Sequence, residues 1–405
     1  MGAGTMGSGI AASFAQAGFS VVLVDSGSAA LDAGLQRVQS IVQSAVKKGR
    51  LRADEAQTVA ARVGGASELG ALSDADLVIE AVFEDVAVKQ AVFEQLGRIV
   101  KPGGVLATNT STLDVDAIAN ASGRAADVVG MHFFSPAHVM RLVEIVRGRC
   151  SAPDVIATVL AVTRRLGKTG VVVGNAFGFV GNRMLYAYGR EKELMMLEGV
   201  EPPRIDRALE GFGMAMGPNA VGDLAGLDIG VSARRAWKER PDDPTFFRVS
   251  DLLVERGRLG QKSGAGFYRY TGPERRREAD PEVADLARAE ARRLGVAQRA
   301  IPDEEIVERC IYALVNEGAR LLEEGIAGSG ADIDVIWCNG YGFPRSRGGP
   351  MFYADTVGLP QVLSAIERYR EARGPRYWSP APLLERLARA GGSLAGYRGD
   401  SRPAV

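Results

Sequence analysis

The sequence predicts an α/β domain built on a doubly wound parallel sheet, followed by two copies of an all-α domain. Three observations predict it. A glycine-rich turn, Gly2-Ala3-Gly4-Thr5-Met6-Gly7, runs into a helical stretch and then into the β-branched strand Val21–Val24, closed by Asp25. Strand and helix patterns alternate as far as about residue 175, as in a parallel sheet covered on both faces. Beyond it, long helical patterns occur twice, at an offset that grows from 126 to 132 residues.

The opening glycines stand as G-x-G-x-x-G. Gly2 permits a tight turn, Gly4 lets backbone approach a pyrophosphate, and Gly7 lets the following helix pack on a strand. That helix would aim its unpaired N–H groups and positive dipole end at phosphates. By itself such a motif equally marks a turn. Here Asp25 falls 18 residues after Gly7 at a strand end, where a Rossmann unit places the acid that accepts from the adenosine ribose. A carboxylate there repels a 2′-phosphate, so the expected cofactor is NAD rather than NADP. The strand that should precede the first glycine is missing, since only Met1 stands before Gly2. The N-terminus therefore reads as incomplete, and the two strands flanking that position are expected to lose a ladder partner.

The elements follow in order. Ala29 to Lys48 is helical, Asp76–Val82 is a buried strand, and Phe83-Glu84-Asp85 opens the loop at its end. A helix runs to about Val100, Pro102-Gly103-Gly104 turns, and Val105–Thr108 forms a strand ending at Asn109-Thr110-Ser111-Thr112. Val128–Phe133, Leu142–Val146, a helix over 153–166 and Val171–Val173 complete the region. Ligands of such sheets sit beyond the C-terminal strand ends, and Glu84, Asn109, Ser111 and His132 fall there. Phe179 to Gly199 then begins the helical part, with Gly199 as C-cap. Gly272–Arg277 is polar and basic and reads as a linker. The repeat pairs Asn182-Arg183-Met184-Leu185-Tyr186 with Glu308-Arg309-Cys310-Ile311-Tyr312, Ile205-Asp206 with Ile333-Asp334, Gly217-Pro218 with Gly349-Pro350, and Asp223 with Asp355. The expected domains are 1–175, 176–271, a linker 272–300, and 301–405.

Composition narrows the function. Lys plus Arg and Asp plus Glu both count 49 in 405 residues, so no bulk field favours nucleic acid or an anionic membrane. No apolar run of about 18 residues suggests a membrane span, and no targeting leader is visible. Cys150, Cys310 and Cys338 are odd in number and lack ligand spacing, so structural thiols and no metal site are expected.

Only two histidines exist, His132 and His138. A histidine suits the removal of a secondary alcohol's proton near neutral pH. Glu144 lies 12 residues after His132 on the next apolar run and could return beside it. A carboxylate on one ring nitrogen would fix the tautomer and stabilise the imidazolium. The same spacing also fits a strand-end histidine satisfied by backbone, with an exposed glutamate. Asn109, Ser111 and Asn182 could bond a hydroxyl or thioester carbonyl, yet alone they read equally well as turn and cap residues. His138, in a loop after Pro136, reads as a surface residue.

Six stretches together are more specific than any of these. The opening Gly2–Ala11, Ala107-Thr108-Asn109-Thr110-Ser111, Gly130–Met140, Gly178–Met184, Gly260–Tyr268, and Gly340–Pro344 with Gly348–Tyr353 closely resemble the 3-hydroxyacyl-CoA dehydrogenase portion of the multifunctional enzymes of fatty-acid β-oxidation. The resemblance covers nearly the whole chain. It implies an NAD-dependent oxidation of (3S)-3-hydroxyacyl-CoA to 3-oxoacyl-CoA on a Rossmann domain followed by two repeated all-α C-terminal domains. The alternative is a dehydrogenase of another small 3-hydroxy acid on that architecture, or a non-catalytic remnant.

Residue by residue, the resemblance implies His132 as base with Glu144 as its partner. Ser111 would touch substrate oxygen and nicotinamide, and Asn182 would position substrate and His132. Gly2, Gly4, Gly7, Asp25, Glu84, Lys89, Ser111, Ser135 and Lys262 would hold NAD, and Lys48 would contact CoA phosphate. Ser135 stands where many relatives have asparagine. Glu308, at the Asn182 position of the second copy, implies a structural copy without a second active site. The hydratase half of the multifunctional pattern is absent from these residues, and a separate hydratase or thiolase could associate as a partner. A duplicated helical domain can fill a dimer partner's place, so a monomeric dehydrogenase unit is expected. The ending Arg402-Pro403-Ala404-Val405 is not a peroxisomal Ser-Lys-Leu signal, and a bacterial-type cytoplasmic protein is expected.

Overall fold

The computed structural model describes residues 1–399, so the ending Arg402-Pro403-Ala404-Val405 lies outside the described residues. The chain divides into two units, Met1–Val180 with Gly325–Gly328, and Gly181–Glu324 with Ser329–Arg398.

In the first unit the elements run α1 (Thr5–Gln16), β1 (Val21–Val24), α2 (Ser28–Lys47), α3 (Ala53–Ala61), β2 (Val63–Ala66), β3 (Leu77–Glu80), α4 (Val86–Ile99), β4 (Val105–Thr108), α5 (Val115–Ala121), β5 (Val128–Phe133), β6 (Leu142–Arg147), α6 (Pro153–Arg165) and β7 (Thr169–Gly174). Strands β1 and β2 pair parallel as a separate ribbon, and the main sheet has the order β3-β4-β5-β6-β7. All residues of β4 and β5 are buried, because helices cover both faces. Each buried Val, Leu or Met side chain there contributes about 1.5–3 kcal/mol.

The break between ribbon and sheet falls where the opening strand was expected. Met1 and Gly2 alone occupy it. Gly2 N–H donates to Val24 O at 2.8 Å, Ala81 N–H to Met1 O at 2.8 Å, and the Met1 amino group to Ile79 O at 2.8 Å. Two residues thus bridge the strands that were expected to be left without a partner.

One departure from the parallel pattern matters for the site. Strands β5 and β6 are antiparallel, because the residues between them, 134–141, are too few for the helical crossover that a parallel pair requires.

The second unit is helical: α7 (Gly181–Leu197), α8 (Pro202–Phe212), α9 (Pro218–Ala225), α10 (Leu227–Ala236) and α11 (Arg248–Glu255) form the first copy. The hairpin β8 (Tyr268–Thr271) and β9 (Arg276–Ala279) and the helix α12 (Pro281–Leu294) follow. The second copy is α13 (Asp303–Glu323), α14 (Gly330–Gly340), α15 (Pro350–Val357), α16 (Leu359–Arg373), α17 (Pro375–Trp378) and α18 (Pro382–Ala390). The stretch 272–300, expected as a linker, is therefore folded. Asp280 caps α12 by accepting from Glu282 N–H, Pro281 opens it, and Val283, Ala284, Ala287 and Ala291 bury one face. No helix among the described residues is long and apolar enough to cross a membrane.

The two copies meet along α7 and α13 through ion pairs that repeat at an offset of 126 residues. Arg183 Nε donates to Glu317 at 2.6 Å, and its counterpart Arg309 Nε donates to Glu191 at 3.0 Å. Likewise Arg183 bonds Glu324 at 2.8 Å and Arg309 bonds Glu198 at 3.0 Å. Residue i of one copy meets residue j of the other and the reverse, the signature of a two-fold contact.

Candidate active site

The glycine-rich turn is tight. Gly2 takes φ +88°, and a Cβ there would lie 2.6 Å from Ala81 O; one at Gly7 would lie 1.8 Å from Gly2 O. Side chains at these positions would push α1 off the sheet. At Gly4, the N-cap of α1, a Cβ would meet open space, which leaves a cradle at the positive end of the helix for a phosphate. Asp25 ends β1 with its carboxylate held by Ala3 N–H at 2.8 Å and Gly27 N–H at 3.1 Å. It is partly exposed, so an acceptor stands ready for a ribose hydroxyl. The residues present fit a dinucleotide.

Strands β5 and β6 bring His132 and Glu144 together. The two are direct antiparallel partners, so their side chains share a face. His132 Nδ1 and Glu144 Oε2 lie 2.8 Å apart, with both side chains buried. The rings of Phe134 and Phe179 lie 4.4 and 5.8 Å from the imidazole. A carboxylate at Nδ1 favours the tautomer with the proton there, which leaves Nε2 as the basic nitrogen. Asn109 does not point its carbonyl oxygen at a ligand; it accepts from Phe133 N–H at 2.8 Å and so pins the strand next to His132.

A second cluster joins the ends of β3 and β4. Glu84 accepts from Thr110 Oγ1 at 2.6 Å, Ser111 N–H at 2.8 Å and Ser111 Oγ at 3.3 Å. Lys89 lies 3.3 Å from Glu84 and 2.7 Å from Glu80. It is almost wholly buried, an anchor within the protein rather than a cation facing solvent. Glu80 also accepts from Thr108 Oγ1 and Val82 N–H, each at 2.7 Å. Glu80 and Thr108 belong to this cluster although no motif marks them in the sequence. The available signal was an acid inside an apolar strand with a lysine nine residues on.

The remaining predicted residues are placed as follows. Ser135 follows β5, is exposed and precedes the cis-proline Pro136. Lys48 caps the C-terminus of α2. His138 is half-buried rather than a plain surface residue, and burial, then the charges of Lys168, Lys48 and Arg50, push its pKa down. Burial also brings Lys168 down to about 8 while its Nζ donates to Ala137 O and Met140 O, each at 2.6 Å. In the helical unit, Asn182 accepts from Tyr341 OH at 2.9 Å, and Lys262 pairs with Asp228 at 2.6 Å. Glu308 accepts from Arg368 at 2.8 Å and from Tyr369 OH at 2.5 Å.

Comparison with known proteins bears on what this geometry is for. Residues 1–176 match the family model "3-hydroxyacyl-CoA dehydrogenase, NAD binding domain", and residues 178–270 and 306–396 match "3-hydroxyacyl-CoA dehydrogenase, C-terminal domain". The peroxisomal bifunctional enzyme of Danio rerio is 44% identical over 96% of this chain and 56% of its own length. The glyoxysomal fatty acid beta-oxidation multifunctional protein of Cucumis sativus is 36% identical over 100% of this chain and 56% of its own. The chain spans about half the length of these curated relatives. Among solved structures, 3-hydroxybutyryl-CoA dehydrogenase of Escherichia coli K12 is similar at a TM-score of 0.81 and 27% identity, over 96% of this chain and 97% of that one. The expected cytoplasmic setting is overturned by these relatives, since the two eukaryotic proteins are peroxisomal and glyoxysomal.

Proposed function

Because the chain belongs to the 3-hydroxyacyl-CoA dehydrogenase family, an NAD-dependent one, we propose that it oxidises (3S)-3-hydroxyacyl-CoA to 3-oxoacyl-CoA with His132 as general base. The observation that carries this reading is the buried 2.8 Å contact between His132 and Glu144. Bound NAD supplies the acceptor for the hydride that leaves C3.

The protein's part is proton chemistry and positioning. Nε2 of His132 takes the hydroxyl proton as the C3–H bond breaks, and Glu144 stabilises the imidazolium that results. Phe134 and Phe179 shield the ring, which strengthens that interaction. Ser111, held through both N–H and Oγ by Glu84, presents its hydroxyl to the substrate oxygen. Lys89 keeps Glu84 in place from below and, with Gly2, Gly4, Gly7, Asp25 and Ser135, belongs to the cofactor's surroundings. Asn182 and Lys262, on the helical unit, are assigned to substrate and cofactor respectively. Lys48, Arg50 and Lys168, grouped around His138, form the cationic cluster we assign to CoA phosphates. The repeated α7–α13 ion pairs support a monomeric dehydrogenase unit in which the second copy fills a partner's place.

The test compares thioester with free acid. Purified protein with NAD and (3S)-3-hydroxybutyryl-CoA should generate NADH, followed by its near-ultraviolet absorbance, whereas 3-hydroxybutyrate should not. Turnover of the free acid at a comparable kcat/KM would replace the CoA reading with that of a small 3-hydroxy acid dehydrogenase.

A further inference from the structure

The second helical copy carries a cavity where the first carries a tyrosine. In the first copy, Asp223 accepts from the N–H groups of Phe267 and Tyr268 at 2.8 and 3.0 Å. In the second, its counterpart Asp355 accepts from Leu394 and Ala395 N–H at 2.8 and 2.9 Å. These bonds set the register, and Ala395 stands at the position of Tyr268. The Tyr268 side chain crosses to Asp206 and donates its hydroxyl to Oδ2 at 2.8 Å; Asn219 adds an Nδ2 donor at 3.0 Å. The counterpart of Asp206 is Asp334. It keeps the two backbone donors, Met351 N–H at 2.7 Å and Phe352 N–H at 3.1 Å. Both side-chain donors are gone, because Met351 replaces Asn219 and Ala395 replaces Tyr268.

A cavity of about 860 Å³ takes the missing side chain's place, lined by Asp334, Cys338, Arg345, Phe352, Asp355 and Ala395 among others. Its size is that of a small-molecule site. The first copy also shows what surrounds the filled position: the Arg277 guanidinium lies 5.0 Å from the Tyr268 ring centre. The cavity offers Arg345 in the same chemical role, together with the Phe352 ring, which is 53% exposed.

We propose that this cavity is a binding site for an aromatic hydroxyl, either a free phenol or a tyrosyl residue, whose O–H donates to Asp334 and whose ring lies against Phe352 and Arg345. The chain thus completes the site in one copy with its own tyrosine and leaves it open in the other. The site belongs to the second copy alone and is independent of the reaction assigned to His132.

The experiment uses the full chain with four probes: p-cresol, toluene, N-acetyl-tyrosinamide and N-acetyl-phenylalaninamide. Ligand-detected NMR gives affinities, and the rate of Cys338 alkylation, with exposed Cys150 as internal reference, gives the location. A hydroxyl probe should bind at least about tenfold more tightly than its deoxy analogue and should slow alkylation of Cys338 but not of Cys150. Binding by p-cresol but not by the tyrosinamide assigns a free phenol; binding by the tyrosinamide at least as tight as by p-cresol assigns a peptide source. Ala395→Tyr should occupy the Asp334 end of the cavity from within, raise Tm and abolish both effects. Should that variant fail to fold, Phe352→Ala should weaken the hydroxyl and deoxy probes alike, and Asp334→Asn should weaken the hydroxyl probe while leaving the deoxy one unchanged. Equal affinity of hydroxyl and deoxy probes, or binding without protection of Cys338, would overturn the proposal.

Discussion

In the proposed reaction, the work of His132 turns on a proton and its neighbour. Glu144→Gln keeps the shape but replaces a carboxylate by an amide, so the ring loses the charge that stabilises its protonated form. A fall in kcat of about 10²-fold or more is expected, with KM little changed; an unchanged kcat would make Glu144 a packing residue. Glu80→Gln acts differently. It removes the nearer of the two carboxylates beside the buried Lys89 ammonium and leaves Glu84 at 3.3 Å, so a destabilisation of about 1–3 kcal/mol is expected, measured as a drop in the urea midpoint. A third residue gives a pH signature. Burial, augmented by Asp355 and opposed by two backbone N–H groups, pushes Asp334 up to about 7. An acid whose pKa is higher when folded binds more protons in the native state between the two values, so its contribution to stability falls as pH rises from about 4 to 7. Asp334→Asn should flatten the stability profile over that window. His132, Asp25 and the glycines could be singled out from the sequence because their chemistry is scarce or their spacing is rigid. Thr108 and the pinning role of Asn109 could not, since each depends on which strand ends are neighbours, while Glu80 offered only an acid inside an apolar strand with a lysine nine residues on.

At the scale of elements, register turns spacing into geometry. The twelve residues separating His132 from Glu144 acquire meaning only because β5 and β6 run antiparallel, a reversal that alternating strand and helix patterns do not announce. Strand β2, Val63-Gly64-Gly65-Ala66, has half its residues as glycine and carries no strand signal; its pairing with β1 makes it a strand. The helix α12 was hidden by the arginines beside it, although its cap and its apolar spacing were in plain view. The turn before α1 was legible because few residues meet its demands. Gly7→Ala would set a methyl 1.8 Å from Gly2 O, so NAD affinity should drop by at least tenfold as the turn opens, read by quenching of protein fluorescence on NAD titration. Retained affinity would mean that the turn tolerates displacement.

For the whole molecule, the duplication was visible as repeated motifs, but the two-fold contact between copies emerges only from the paired bonds of Arg183 and Arg309. If the second copy fills a partner's place, sedimentation should give a monomer, and Arg309→Met should destabilise the chain by about 1–3 kcal/mol, since Glu191 keeps Arg190 and Glu198 keeps Arg373 and Arg299; a stable dimer would contradict the first point. Cellular setting was not legible, because balanced charge and missing signals exclude little. The central claim rests on His132. With NAD and (3S)-3-hydroxybutyryl-CoA, His132→Gln should lower kcat by about 10²- to 10⁴-fold while NAD affinity and Tm stay near those of the unaltered protein. A folded His132→Gln protein that turns over within a few-fold of the original would contradict the account.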